Sequence, residues 1–314
     1  MIFKSVTAVI SVFFMIGIGV LAAKLKWVNK EVANFIPKII INVSLPCQLI
    51  VTFSTEFTKE QLSTAWVYVA AGIAASLAGI LIAYIVALLI KIPKSRRGVF
   101  CVLFALSNSV FIGFPVASAI FGNPGMQYAS FFYIANTTCF WTFGYAMITN
   151  DAEVIHGETQ SLRPLDRVKK ILSIPILTLI ASFILILLNV SIPELITNTA
   201  GYLGGLTTPL STLFLGYTLY NMGKKMFKYD KGMISYIIGR FPVSFMLMYL
   251  SCLVFGIEGL ARNVLLTQMS LPAMIQTVVT SEYVGADSDY AARGLAITTL
   301  LSLFTIPLFS FLGS

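Results

Sequence analysis

The sequence predicts an all-α membrane protein: ten transmembrane helices arranged as two inverted five-helix repeats, with the fourth and ninth helices broken and crossing one another. Three observations carry this. Hydrophobic residues make up 57% of the 314 and charged residues 11%, and the mean hydropathy is +0.88, which leaves too little polar surface for a water-soluble fold. Charge-free runs of spanning length recur along the chain. Prolines fall at matching places in its two halves.

The runs without Asp, Glu, Lys or Arg cover 5–23, 39–55, 61–90, 98–150, 171–193, 195–223, 241–257, 263–281 and 294–314. A spanning helix takes about 20 apolar residues. The 53-residue run at 98–150 therefore holds two helices, divided at "GNPG" (122–125), and the total is ten. Lipid leaves no backbone group unsatisfied, so the spans are helices, and barrel strands would show as short alternating segments. The first apolar run is too long for a cleaved signal peptide, its charges lie mainly after it, and it is kept as span 1.

The formal charge of +8 follows the positive-inside rule and needs no nucleic-acid partner. The connections at 24–30, 91–97, 163–170, 224–240 and 293 carry 17 Lys and Arg, against Lys4, Lys59 and Arg262 on the opposite side. Both termini are thereby expected outside, and no Arg is expected within a span. Cys47, Cys101, Cys139 and Cys252 lie inside spans without CxxC spacing and read as small core residues. No metal site and no cofactor are expected.

One sizeable polar segment, 150–170, falls midway with five spans on either side. It divides the chain into a first repeat (1–149), a cytoplasmic linker (150–170) and a second repeat (171–314). Because five is odd, homologous halves would lie in the membrane with opposite orientations. The prolines test the idea. Pro46 in "NVSLPCQL" and Pro209 in "GLTTPLST" belong to the second span of each half. Pro115 in "NSVFIGFP" and Pro272 in "TQMSLPAM" belong to the fourth, 69 and 63 residues further on. Polar residues precede the first pair as well: Asn42 and Ser44 in one half, Thr207 and Thr208 in the other.

Proline removes a backbone donor and glycine the side chain that would fill the gap, so Gly113 with Pro115, and Pro272, are expected to break spans 4 and 9. Amides and hydroxyls surround the breaks: Asn108 and Ser109 in span 4, and Thr267, Gln268, Ser270 and Gln276 in span 9. Irregular backbone at that depth lines a cavity or is packed in protein. Half-helices starting near Pro115 and Pro272 would each aim about +0.5 charge at one spot, which prefers an anion. The carbonyls before the breaks, helped by Ser44, Thr207, Thr208 or Gln268, are candidates for a Na⁺. Glu282, at the inner end of span 9, is a candidate gate or proton relay. Asp287, Asp289 and Arg293 read as solvated loop charges. Spans without paired aspartates, HExxH or a Walker loop exclude intramembrane proteolysis and direct ATP coupling, and no enzyme is expected.

Ten spans with both ends outside, the short central loop, "LSNSVFIGFP", the "LP" pairs of spans 2 and 9 and the ending "SEYVGAD…AITTLLSLFTIPL" resemble the auxin efflux carrier family. The likeness covers essentially the whole chain and is greatest toward bacterial members, often labelled malate or malonate permeases. That family shares a superfamily with the bile acid:sodium symporters. The resemblance implies a scaffold of spans 1, 2, 6 and 7 and a transport domain of spans 3–5 and 8–10. It further implies that Pro115 and Pro272 mark the crossover, that Asn108 and its neighbours line the site, and that Pro46 and Pro209 shape the scaffold facing it. The second half departs from the pattern, with no glycine two residues before Pro272 and no asparagine opposite Asn108; span 3 has no charged residue to switch a proton. Coupling to Na⁺ or H⁺ therefore stays open.

The expected function is a secondary active transporter in the cytoplasmic membrane, moving a small organic anion, a mono- or dicarboxylate such as malate, by alternating access. The alternative is a non-transporting sensor or partner-binding protein on the same scaffold. Partners are the anion and the lipid bilayer, with a homodimer left open.

Overall fold

Among the described residues, five helical segments are long and apolar enough to cross a membrane: Lys30–Val51, Ala65–Leu89, Ser109–His156, Met233–Val254 and Ser288–Ser310. The computed structural model describes residues 2–56, 59–157, 174–188, 190, 192–224, 230 and 232–312, and among these every regular element is a helix. The first half comprises α1 (Ile2–Lys24), α2 (Lys30–Ile39), α3 (Leu45–Glu56), α4 (Lys59–Leu89), α5 (Arg97–Ala105), α6 (Phe114–Cys139) and α7 (Tyr145–His156). The second comprises α8 (Ile174–Leu187), α9 (Glu194–Gly204), α10 (Thr207–Met222), α11 (Met233–Ile238), α12 (Ser244–Val254), α13 (Gly259–Met269), α14 (Gln276–Val284) and α15 (Ser288–Leu312). The turn expected at 122–125 sits inside α6, where Gly122 adopts φ 67°, ψ −160° and interrupts the helix. Past it the chain returns toward its starting point, so Asn136 meets Ser107. Helix α7 runs on to His156, into the first residues of the segment 150–170; residues 158–170 of that expected linker lie outside the described residues.

Among the described residues, four helices are widened rather than ended, by π-turns at Ile40–Ser44, Ser109–Gly113, Phe140–Gly144 and Gly239–Val243. In each, a backbone N–H reaches the carbonyl five residues back, as Leu45 to Ile40 and Phe114 to Ser109 do. Proline explains three of them. Pro46 and Pro115 each stand six residues after a turn begins, and Pro242 lies within one. A proline ring crowds the carbonyl four residues before it, and a wider turn relieves the clash without stopping the helix. Pro209 instead occupies the first turn of α10, where its missing donor costs nothing.

One of those turns overturns a sequence expectation. Arg240, assigned above to the polar connection 224–240, lies in the fourth π-turn, inside the apolar segment Met233–Val254, and is fully buried. The positive-inside count places a cation by its neighbours in sequence, and Arg240 is the last cation of the connection 224–240, one residue before an apolar run.

The α1–α10 pair is tightest; α8 and α9 lie against α3. Helix α4 packs on α5, α6 and α12, and α13 on α6 and α12, while α6 also meets α1 and α3. At the α1–α10 contact no side chain intervenes: a Cβ at Gly216 would stand 2.3 Å from the Ile16 carbonyl oxygen, and one at Gly19 2.6 Å from that of Leu213. Small residues of this kind let two membrane helices gain dispersion contact along their backbones. Gly216→Val is expected to force them apart at a cost of about 3 kcal/mol or more, read as loss of the monodisperse peak in detergent chromatography; an unchanged profile would refute the contact.

Candidate functional site

The fourth expected span breaks before its glycine and proline. Helix α5 ends at Ala105; Leu106 is extended (φ −108°, ψ 137°) and Asn108 non-helical (φ −81°, ψ 67°). The helix restarts at Ser109, so Gly113 and Pro115 lie in its first turns and do not break it, contrary to the sequence expectation. In the second half α13 ends at Met269 and the helix resumes at Gln276. There Pro272 does stand inside the break.

The two breaks are joined to each other. The Asn108 N–H donates to the Pro272 carbonyl at 2.9 Å, and Ser107 and Ala273 form an isolated antiparallel bridge. Two stretches stripped of intrahelical partners thus satisfy one another, as buried backbone must. Gly113 serves this approach. A Cβ there would lie 2.3 Å from Gln268 Oε1 and 2.7 Å from Leu271 Cδ1, and the Gln268 amide donates to the Gly113 carbonyl at 2.8 Å.

Each break is also held from behind by a neighbouring helix. Asn136 of α6 accepts from the Ser107 N–H at 3.3 Å, donates to the Ser107 carbonyl at 2.8 Å and reaches Ser109 Oγ at 3.4 Å. Thr298 of α15 accepts from the Ala273 N–H at 3.1 Å while donating to the Gly294 carbonyl. Neither residue was singled out from sequence. The signal for Asn136 was present: an amide beside two threonines in "ANTT", within a charge-free run.

In front of the paired breaks lies a cavity of about 150 Å³. Its polar wall is Asn108, Ser109, Thr137 and Gln276. Apolar walls come from Ile41 and Leu45 around the first π-turn, Phe111 in the second, Trp141 in the third, and Tyr133. π-turns recur at functional sites because they turn side chains and carbonyls out of helical register. The residues that open both restarted helices, Ser109 and Gln276, border this one cavity. Among the described residues, no ionisable carboxylate, amine or guanidinium lines it. Asn108 caps its own helix by accepting at Oδ1 from the Phe111 N–H at 3.3 Å, while its buried Nδ2 and the buried Thr137 Oγ1 have no hydrogen-bond partner among the described residues. Buried polar atoms seldom stay unpaired without a role or a missing ligand.

The other residues named from sequence are placed as follows. Gln268 and Pro272 belong to the joint between the breaks. Ser270 is buried and turns back to the Leu266 carbonyl, away from the cavity wall. Asn42 is exposed, its amide donating to the Lys38 carbonyl, and its neighbour Ile41 reaches the cavity instead. Ser44 and Thr207 are buried, their hydroxyls without a hydrogen-bond partner among the described residues, whereas the Thr208 carbonyl accepts from Thr212. Pro46 and Pro209 shape the helices behind, by a π-turn and a helix start. Glu282 falls on α14, its side chain outside the described residues.

A family model described as membrane transport protein matches residues 4–310. An uncharacterized transporter of Methanocaldococcus jannaschii is 26% identical over 308 residues, 97% of this chain and 97% of the relative. Another uncharacterized transporter, from Methanothermobacter thermautotrophicus, is 26% identical over 313 residues, 99% of each. With multiple apolar helices, two joined breaks and a family match over nearly its whole length, the chain belongs to the membrane transport proteins of the auxin efflux carrier family.

Proposed function

We propose that the protein is a secondary active transporter that carries a small organic anion, a mono- or dicarboxylate such as malate, across the cytoplasmic membrane by alternating access. The single observation behind this reading is that both restarted helices open onto one cavity where the Asn108 Nδ2 is buried and has no hydrogen-bond partner among the described residues. Helix N-termini carry partial positive charge, and an amide donor between them completes a carboxylate site without a charged side chain. The frame is ten spans in two inverted five-helix repeats with both termini outside, spans 3–5 and 8–10 moving against spans 1, 2, 6 and 7. Alternating access in such repeats is rocking of one bundle against the other around a fixed site.

The test is flux in proteoliposomes. Labelled malate, malonate, succinate, lactate and acetate are each offered with and without Na⁺ and pH gradients. Saturable flux of at least one carboxylate is expected. Binding of a carboxylate without flux would favour the sensor reading, and neither binding nor flux would refute an anion site.

A further inference from the structure

Arg240 heads the large side chains that are fully buried among the described residues, and the proposed anion site gives it no work. It sits in the π-turn Gly239–Val243, seated against α5 where Gly239 packs on the Phe104 ring. Its Nη2 donates to the Met269 carbonyl, while Nε and Nη1 have no hydrogen-bond partner among the described residues. Met269 is the last residue of α13, the half-helix that stops at the second break. In an unbroken helix its carbonyl would accept from the N–H of Ala273, but that N–H is spent on Thr298. The orphaned carbonyl at this end, where the half-helix carries roughly −0.5 charge, is the kind that holds a coupling Na⁺ in broken-helix transporters.

We propose that Arg240 is a tethered cation occupying that role: a positioning residue whose fixed charge closes the negative end of the second break, so that transport proceeds without bound Na⁺ there. This rests on the transporter reading for its effect on flux. The first break shows the contrast, since there a neutral amide, Asn136, does the stapling. A guanidinium is suited to the task because it keeps its proton and its planar fork can cap a carbonyl while leaving donors free.

The experiment compares wild type, Arg240→Gln, Arg240→Met and Arg240→Lys in two readouts. The first is carboxylate flux with NaCl or choline chloride; the second is the thermal midpoint of the purified protein in detergent in the same salts. Wild type is expected to be indifferent to the exchange of salt. Arg240→Gln can still hydrogen-bond Met269 but lacks the charge; it and Arg240→Met should lose about tenfold or more in flux, as removal of a charge-assisted bond does. Both should also fall in midpoint and recover in part with tens of millimolar guanidinium, roughly the range for a weakly held ion. Arg240→Lys should stay between wild type and Arg240→Gln. Arg240→Gln matching wild type in midpoint and flux, or wild type needing Na⁺ for its midpoint, overturns the proposal. If no carboxylate moves even in wild type, the transporter reading fails, and the midpoints alone still decide the role of Arg240.

Discussion

Asn108→Ala is expected to weaken carboxylate uptake by roughly tenfold to a hundredfold, because it deletes a donor facing charge, a bond of about 1.5–3 kcal/mol. The same change removes the cap on the Phe111 N–H, so the alanine variant alone mixes binding with helix stability. Asn108→Asp separates them. An aspartate still offers an oxygen to Phe111, but it replaces the unpaired Nδ2 donor with an acceptor of the substrate's own sign. It should keep the Phe111 cap while its KM rises at least as far as that of the alanine variant. Saturation curves in proteoliposomes decide this, and an aspartate variant with wild-type KM would remove Asn108 from the site.

Asn136→Leu is expected to be the most damaging single change near the cavity that leaves the lining itself untouched. The leucine is close in size, but it strands the Ser107 N–H and carbonyl, both now served by one side chain. Each orphaned backbone group costs about 1–3 kcal/mol. The pair would lower the detergent thermal midpoint by roughly 5 to 15 °C, with flux lost even where protein is recovered. A midpoint within a degree or two of wild type would mean that the break is held by something other than Asn136.

The helices and the residues around the breaks were legible in the sequence because bilayer physics writes large signals. Charge-free runs mark spans, and polar residues are costly enough in lipid to stand out wherever they occur. Asn108, Ser109 and Gln276 were found this way, and all three border the cavity. The position of the first break was not legible. Proline's effect depends on whether the preceding turn can widen, and Pro115 follows a π-turn that absorbs it. Gly113 looked like a breaker and proved to be a clearance for Gln268, a reason that exists only once the second half is in place. Arg240 was missed by the opposite route: the positive-inside rule treats a cation at the end of a span as a surface anchor, whereas the π-turn draws this one inward.

The widened turns have a genetic consequence as well as a structural one. A π-turn is an α-helix with one residue inserted, and each inserted residue rotates all that follows by about 100°. The helix after Ser109–Gly113 owes the facing of Phe114 and Ala117, both buried, to that extra residue. Deleting a residue within the turn would therefore change which side of the helix meets lipid, although no side chain there had been altered. In this protein the count of residues between Asn108 and Pro115 carries as much information as their identity.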